Sequence, residues 1–279
     1  MQETKPTSNR NAHWPHIARI WHQVTPPLRP SSFDLAIYQS ALDGLETSKP
    51  LRILVLGVTP EIRSLRVPPT TVWRAVDRSQ DMITYVWPGN VDEVQWSSWD
   101  SMDFPAASFD IAFCDGGLGL LAYPDQQTAL ARKLSTILRP GGQLLVRLFC
   151  SDGRMETVDD VLLDLKHRRI ASLSALKLRL WVAMQTSVAE GLRPHDVWSV
   201  ISDFAHHDLR HLAIDQGWPI DNVLALENHK GSSARYHLLQ AADVEQIFVA
   251  QHGQFKVSGV HKSRERFGAL NPIVKLERV

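Results

Sequence analysis

The sequence predicts a doubly wound α/β fold with a mostly parallel sheet. Near-continuous apolar runs indicate strands that are buried on both faces. A segment with helical spacing, 125–138, lies between the fourth and fifth runs, so that strand, helix and strand follow one another as in a right-handed parallel crossover. The five runs are residues 51–56, 71–76, 93–96, 109–114 and 143–149.

Helical segments precede and follow this strand-rich region. A short helix is expected within 13–21, and Ser32 would cap a helix from Phe33 to about Leu45. After Cys150 no strand is expected before residue 222, so this part of the chain is predicted to be a helical insertion. The later elements are predicted as helices at 156–166, 172–190 and 195–211, a short apolar run at 223–226, a helix at 241–250, and two strands at 255–260 and 273–279.

The last two strands suggest an antiparallel pair at one edge of the sheet, which brings the predicted sheet to seven strands with an antiparallel C-terminal strand. We therefore expect an N-terminal helical segment (1–48) that covers the site. The α/β core is expected to comprise 49–152 and 220–279. Residues 153–219 form the predicted helical cap.

Composition favours a small-molecule partner. Thirty basic residues balance thirty acidic ones among 279, so there is no overall basic charge of the kind that nucleic-acid binders show. Only Cys114 and Cys150 are present, which argues against a disulfide framework and for a cytoplasmic location. No apolar run approaches the roughly twenty residues that span a bilayer, so no membrane association is expected. Homo-oligomerisation is left open.

The segment 51–61 is typical of a strand that runs into a nucleotide-binding turn. Gly57 would let the backbone approach a ligand, and Pro60 could begin the next helix at a position where a missing N–H costs nothing. Asp77 ends the second run about twenty residues later, where a doubly wound sheet presents a carboxylate to a ribose. The alternatives are an ordinary strand-ending turn at Gly57 and a helix cap at Asp77.

With these residues the chain resembles the class I S-adenosylmethionine-dependent methyltransferase family over about 28–150 and the last forty residues. The most specific matches are Phe104-Pro105-Ala106-Ala107-Ser108-Phe109-Asp110 and Leu138-Arg139-Pro140-Gly141-Gly142-Gln143-Leu144. Gly57-Val58-Thr59-Pro60-Glu61 and Pro27-Leu28-Arg29-Pro30-Ser31 are similar to a bacterial subgroup of that family. The resemblance implies a Rossmann-like fold and S-adenosylmethionine as cofactor.

The resemblance also implies a set of cofactor contacts. Asp77 would bind the ribose, Met82 would lie beside the adenine, and Ser98 stands where the family usually has an acid. Arg29 and Tyr38 could hold the cofactor's carboxylate. The full predicted set is Arg29, Tyr38, Gly57, Val58, Thr59, Asp77, Arg78, Met82, Ser98, Trp99, Asp115 and Gly116.

Several residues admit other roles. Trp99 could stack on a purine or be an ordinary core aromatic, and Asp115 could be a turn residue. Histidines in the cap are candidates for a proton acceptor, and His206 is the specific hypothesis. His207 and His211 have a spacing that could hold a metal on a helix, but no zincin-type carboxylate accompanies them, and no metal is predicted.

Five tryptophans outside the predicted sheet point to an apolar or planar substrate pocket, or simply anchor the added helices. They are Trp14, Trp21, Trp181, Trp198 and Trp218. The expected activity is methyl transfer to an oxygen or nitrogen nucleophile of a small molecule, which fits a biosynthetic metabolite. The alternatives are a non-catalytic interaction or cofactor-binding protein of the same fold and, less well supported, an aminopropyl transferase.

Overall fold

The computed structural model describes residues 14–45, 49–150, 156–250, 253–263 and 268–279. Residue 13, the first of the predicted N-terminal helix, lies outside these ranges. The strands are β1 Arg52–Leu56, β2 Val72–Asp77, β3 Val94–Trp96, β4 Phe109–Asp115, β5 Leu138–Arg147, β6 Phe255–His261 and β7 Ile273–Arg278. The α-helices are α1 Trp14–Arg19, α2 Ser32–Asp43, α3 Pro60–Arg63, α4 Gln80–Val86, α5 Asp125–Ile137, α6 Val158–Lys166, α7 Leu173–Met184, α8 Pro194–Phe204, α9 Leu209–Gln216, α10 Ile220–Leu224 and α11 Ala241–Glu245.

The seven strands form one sheet in the order β3-β2-β1-β4-β5-β7-β6. Strands β1 to β5 pair in parallel, whereas β7 is antiparallel to both β5 and β6. This confirms the predicted mostly parallel sheet with an antiparallel C-terminal strand. The strand order reverses between β1 and β4, and in open α/β sheets that reversal creates the ligand-binding crevice at the carboxyl ends of the strands.

Strand β1 shows why its run is apolar throughout. Leu54 and Leu56 enter a buried cluster with side chains of α5, whereas Ile53 and Val55 enter a second cluster with side chains of α2 and α4. None of the four is more than 1% exposed. Because successive side chains of a strand point to opposite faces, a strand covered by helices on both sides has no polar face.

Residues 139–142, which precede the fifth predicted run (143–149), lie within β5. Strand β5 pairs with β4 from Leu138 onward, and its register shifts between Phe109 and Ile111. Gly141 has a φ of 72°, and a Cβ on Gly142 would lie 2.7 Å from the Arg139 carbonyl oxygen. These two glycines allow an irregular start to the strand that a residue with a side chain would obstruct.

The region between β5 and β6 is helical from α6 to α11, with its own buried cluster that includes Val161, Leu176 and Ile201. Two details differ from prediction. The helix expected over 172–190 ends at Met184. The helix expected over 195–211 divides into α8 and α9, because the chain turns at His206 and His207, which have φ of 49° and 63°.

The short apolar run 223–226 lies in α10 and a following 3₁₀ turn. Val223 and Leu226 are three residues apart and both enter the helical cluster, so their apolar character reflects a helical face. Tyr236 enters the same cluster. The boundary of the cap at residue 219 stays a prediction. Beyond that boundary, Val223, Leu226 and Tyr236 pack in the same cluster as the cap helices.

No helix within the described ranges has the length and apolar character needed to cross a membrane.

Candidate active site

Two adjoining cavities open at the carboxyl ends of the central strands. The strand-end cavity is lined by residues that follow β1, β2, β3 and β4, together with residues of α4 and α5. The cap cavity lies between this crevice and the helical region and is lined by α1, α7 and the segment 236–239. Residues common to both linings are Trp14, Trp21, Thr59, Asp115, Gly117 and Leu120. The two cavities therefore meet near the end of β4.

The turn after β1 depends on Gly57, whose φ of 96° is disfavoured for residues with a side chain. Its N–H donates to the carbonyl of Val76 at the end of β2, over 2.9 Å. Thr59 precedes the first residue of α3, Pro60, whose missing N–H costs nothing there. Gly57, Val58 and Thr59 all line the strand-end cavity. These three residues are among those predicted to contact the cofactor.

Asp77 ends β2 and lines the same cavity. Its carboxylate accepts the backbone N–H of Ser79 at 2.7 Å. Burial raises the pKa of Asp77 to about 6, against the lowering effects of the Ser79 hydrogen bond and of Arg78. A further hydroxyl donor entering the cavity would stabilise the ionised form. Arg78 and Met82 also line this cavity.

Trp99 covers the turns that follow β1 and β4. Its Nε1–H donates to the carbonyl oxygen of Val76 at 2.9 Å, which fixes the indole ring. A Cβ on Gly117 would lie 2.3 Å from Cη2 of that ring, and one on Gly57 would lie 4.0 Å from Cζ2. Trp99 thus lines the strand-end cavity. The sequence predicted that this residue contacts a base.

Ser98 also lines the strand-end cavity, and so does Asp100, which the sequence analysis did not single out. A hydrogen bond from the Ser98 side chain lowers the pKa of Asp100. The acid that is missing at position 98 is therefore available two residues later in the same loop. The signal in the sequence was that Asp100 directly follows Trp99.

Asp115, the last residue of β4, belongs to a buried ion pair. Nε of Arg147 lies 2.5 Å from Oδ1 of Asp115, and Nη2 lies 3.2 Å from Oδ2. The hydroxyl of Tyr38 donates to the same Oδ1 at 2.9 Å. Burial opposes the charge of Arg147, but the charge of Asp115 and the hydrogen bond to it outweigh that effect and raise the pKa of Arg147. The side chain of Asp115 is therefore held in position where the cavities meet.

Arg147 was not among the predicted site residues, although it is a charge within an otherwise apolar strand run. Such a residue needs partners once it is buried. Besides Asp115, its Nη1 donates to the carbonyl of Pro27 at 2.8 Å. Arg147 thereby fastens the N-terminal segment to the edge of the sheet beside the cap cavity, which it lines.

Arg29 and Tyr38, which were predicted to hold a cofactor carboxylate, line neither cavity. Nε of Arg29 is 2.5 Å from Oε1 of Glu61, and its Nη1 donates to the carbonyl of Trp21 at 3.1 Å. The guanidinium is already satisfied by these contacts and holds Trp21 in place. Tyr38 is fully buried in α2 and reaches the site only through Asp115.

Gly116 lines the cap cavity rather than the strand-end cavity. Its φ is 67°, and a Cβ there would lie 2.7 Å from the ring of Phe149. Aromatic side chains dominate this part of the wall. They are Trp14, Trp21, Phe149, Trp181 and Tyr236.

Three of the five tryptophans predicted to form a pocket, Trp14, Trp21 and Trp181, therefore line the cap cavity. The other two have structural roles. Trp198 stacks with His195 at 5.4 Å between ring centroids, and Trp218 is buried in the helical cluster.

The cap cavity also contains polar side chains that were not predicted: Lys177, His229, Tyr236 and His237. Nδ1 of His237 lies 2.7 Å from the carbonyl oxygen of Val188. Burial lowers the pKa of Lys177 to about 8 and raises the pKa of Tyr236. Lys177 could have been noticed as a charged residue in a leucine-rich helix.

His206, the hypothesised proton acceptor, is exposed in the turn between α8 and α9 and lines neither cavity. A general base must lie within hydrogen-bond reach of the proton that it removes, so this position does not support the hypothesis. Nδ1 of His207 lies 3.1 Å from Oγ of Ser202, and the backbone N–H of His211 donates to Asp208. Within the described ranges, no group of three or more His, Cys, Asp and Glu could hold a metal ion.

Comparison with known proteins identifies part of the chain. Residues 65–146 match a family model described as a methyltransferase domain. No curated protein matches significantly. The matched segment runs from before β2 to near the end of β5 and contains Asp77, Trp99 and Asp115, whereas the Gly57 turn lies before it.

Solved structures share the fold at low sequence identity. A candidate zinc-dependent alcohol dehydrogenase from Rhodobacter sphaeroides superimposes with a TM-score of 0.61 and 13% identity, over 99% of this chain and 100% of that one. The CcbJ methyltransferase of Streptomyces caelestis superimposes with a TM-score of 0.54 and 12% identity, over 97% of this chain and 99% of that one. At these identities the likeness concerns the fold alone.

The sheet order and the strand-end crevice define a Rossmann-like fold, and residues 65–146 within it match a methyltransferase domain model. The particular form present here has an aromatic second cavity and a single-glycine turn after β1.

Proposed function

We propose that this chain is an S-adenosylmethionine-dependent methyltransferase that transfers a methyl group to an oxygen or nitrogen nucleophile of a small molecule. The observation that carries the proposal is the position of Asp77 at the carboxyl end of β2, in a cavity whose other walls are the Gly57 turn, Met82 and Trp99. This arrangement supports binding of a nucleoside, because its carboxylate can accept two ribose hydroxyls beside a flat apolar wall.

The residues present fit the cofactor in their chemistry. Asp77 holds the ribose, Met82 and Trp99 flank the base, and Asp100 or Ser98 can accept from a base amino group. Gly57 leaves the turn open for close approach of the ligand, since a side chain there would point toward Asp77 and Trp99. When bound, the cofactor supplies an activated methyl group on a sulfonium centre.

The chain's own contribution to catalysis is then mainly alignment and exclusion of water. Thr59, Asp115 and Gly117 line both cavities, so this junction is where a cofactor in one and an acceptor in the other would approach each other. Trp14 and Trp21 cover the same junction from the N-terminal side. The cap cavity has four side chains that can hold a proton or exchange one with an acceptor: Lys177, His229, Tyr236 and His237.

A small acceptor is supported by the shape and lining of the cap cavity. Its wall is mostly apolar and aromatic, and it is covered by helices instead of lying on an open basic face. A nucleic-acid substrate would favour a basic surface, whereas the chain carries equal numbers of basic and acidic residues.

Calorimetric titration with S-adenosylmethionine and with its demethylated product tests the proposal. The wild-type protein should bind both with one site, and Asp77→Ala should weaken binding at least about tenfold, because a charged hydrogen bond contributes roughly 1.5–3 kcal/mol. Asp92→Ala, on an exposed turn before β3, is the matched control and should bind as wild type. No binding of either compound to wild type at about 1 mM would contradict the proposal.

A non-catalytic protein of the same fold is the second candidate. It is favoured by two observations, the single glycine in the β1 turn and the serine at position 98. Cofactor binding together with turnover of a methyl acceptor from a metabolite collection would exclude it. Binding that depends on Asp77 without any methyl transfer across such a collection would favour it.

A further inference from the structure

Lys177 occupies an unusual position in the wall of the cap cavity. It lies in the middle of α7, where its neighbours Leu176 and Leu178 are buried in the helical cluster. Its own side chain lines the cavity and is half-buried. Nζ lies 5.5 Å from the ring centroid of Trp181, within the range of a cation–π contact.

No carboxylate compensates this charge in the described part of the chain, where Lys177 has no ion pair and no hydrogen bond. The one carboxylate in the cavity lining, Asp115, is paired with Arg147 and accepts from Tyr38. Buried charges in proteins are usually paired, because an isolated one loses its hydration without recovering an equivalent interaction. The cavity therefore presents one unbalanced cation.

The remaining groups of the lining do not supply the missing anion. Arg147 is a second cation, already used by Asp115 and by the Pro27 carbonyl. His229 and His237 carry imidazoles, and Tyr236 carries a phenol whose burial raises its pKa. Around neutral pH, none of these three brings a negative charge to the cavity. Among the described residues, the lining thus offers no counter-charge for Lys177, and a molecule that enters the cavity can supply one.

The aromatic walls specify the rest of that molecule. Trp21, Phe149, Trp181 and Tyr236 present flat apolar surfaces around Lys177. Trp181 is set edge-to-face against both Phe149 and Tyr236, at 6.0 and 5.5 Å between centroids, so these rings already support one another. A planar apolar ligand can pack against such a wall, and its single polar group would be drawn to the ammonium.

We propose that the cap cavity binds a flat, mainly apolar molecule with one acidic oxygen group, a carboxylate or an ionised hydroxyl, and that Lys177 is its counter-ion. That this molecule is the methyl acceptor rests on the proposed function. The binding site itself does not require that function, because Lys177, Phe149, Trp181 and Tyr236 line the cap cavity and not the strand-end cavity.

Equilibrium titration with three two-ring probes tests this site: 2-naphthoate, 2-naphthol and the uncharged 2-naphthamide. Quenching of tryptophan fluorescence reports binding, since three tryptophans line the cavity. We expect wild type to bind 2-naphthoate, 2-naphthol or both at least about tenfold more tightly than 2-naphthamide, the preference that one buried charge-assisted contact provides. Whichever probe is preferred identifies the carboxylate or the hydroxyl as the recognised group.

Lys177→Met keeps the length and apolar stem of the side chain and removes the charge, so it should abolish the preference while the naphthamide affinity stays the same. Lys166→Met, at the exposed end of α6, should behave as wild type. Equal affinity of wild type for all three probes, no binding of any probe at about 1 mM, or an unchanged preference in Lys177→Met would overturn the proposal.

Calorimetry with S-adenosylhomocysteine on the same preparations separates this proposal from the proposed function. If the nucleoside binds wild type and Lys177→Met equally and the probes fail, the methyltransferase proposal stands and the Lys177 site is wrong. If the probes behave as expected and the nucleoside fails to bind, the reverse holds. A thermal unfolding curve for Lys177→Met, expected at or above the wild-type temperature, shows that the variant is folded.

Discussion

Asp115 and Arg147 form a buried ion pair that joins the ends of two neighbouring parallel strands, with 2.5 Å between Oδ1 and Nε. The guanidinium is fully buried and the carboxylate side chain is 5% exposed. The pair also reaches the hydroxyl of Tyr38 and the carbonyl of Pro27. One charged contact thus connects the sheet, α2 and the N-terminal segment at the point where the two cavities meet.

Replacing Arg147 by Met should lower the free energy of unfolding by about 3–5 kcal/mol, because it leaves Asp115 buried without its partner. Urea denaturation provides the measurement. Arg193→Met removes a guanidinium from an exposed pair with Asp196 and should change stability little. The double variant Arg147→Met, Asp115→Asn should recover part of the loss. Equal effects of Arg147→Met and Arg193→Met would contradict the structural role of the buried pair.

Binding of the nucleoside should depend on pH through Asp77. Its pKa of about 6 in the free protein means that the carboxyl is largely protonated below that pH, whereas hydroxyl donors favour its ionised form. Affinity for S-adenosylhomocysteine should therefore fall as the pH decreases below about 6, by up to tenfold per unit, with proton release on binding. Calorimetry in buffers of different ionisation enthalpy measures both effects, and a flat profile between pH 5 and pH 7 would refute them.

The same raised pKa has a consequence for stability. The folded protein binds the Asp77 proton more tightly than the unfolded chain does, so this contribution is complete below about pH 4 and is lost as the pH rises through about 6. Asp77→Asn removes the ionisable group. The variant should therefore be more stable than wild type at pH 8, with a smaller difference at pH 4, as measured by urea denaturation. A difference that is the same at both pH values would argue against it.

Lys177 should make the stability of the protein rise with pH in alkaline solution, whereas the contribution of Asp77 falls as the pH rises. Its pKa falls from 10.5 to about 8 on folding, so the unfolded chain binds more protons between these values and stability rises with pH over that interval. Relative to Lys177→Met, wild type should gain about 2 kcal/mol between pH 8 and pH 10, after allowance for water in the cavity. Parallel stability curves for the two proteins would show that the ammonium is not desolvated.

Gly117 should be intolerant of a side chain because of Trp99 alone. Its backbone φ of −84° is ordinary for any residue, but a Cβ would lie 2.3 Å from the indole. Gly117→Ala should displace the ring and weaken nucleoside binding at least about tenfold. Gly44→Ala is the control, because Gly44 has a similar φ of −83° and its Cβ would meet only ordinary contacts at 3.5 Å. A Gly117→Ala variant with wild-type affinity would show that the position of Trp99 is unimportant.

The sheet was predictable because each strand can be recognised from its own residues. A run such as 51–56 has apolar residues on both faces of a strand, and this pattern can be recognised without knowing which strands and helices pack against it. The helical region was harder, since Val223 and Leu226 have the same apolar character in a short helix as in a strand. Their assignment depended on the cluster that they join, which the sequence does not display.

Some residues of the candidate site could likewise be predicted from the sequence, and others could not. Gly57, Asp77 and Trp99 follow strand ends, and the convergence of parallel strand ends brought them to one cavity. Arg29 and Tyr38 were assigned to a ligand, but Glu61 and Asp115 satisfy them instead. Such pairings join residues that are 32 and 77 positions apart, and neither spacing nor composition specifies which partner a charged or hydroxyl group will find. His206 lies in the turn after α8 and lines neither cavity, a position that the sequence pattern did not indicate.

The indole rings of Trp14 and Trp21 belong to both cavity walls. A ligand that orders these rings in one cavity fixes part of the surface that the other ligand must meet, so the second ligand has less conformational entropy left to lose. By thermodynamic reciprocity, the factor by which the first ligand alters the affinity of the second equals the factor in the reverse direction. Two tryptophans shared in this way couple the affinities of the two ligands, whichever ligand binds first.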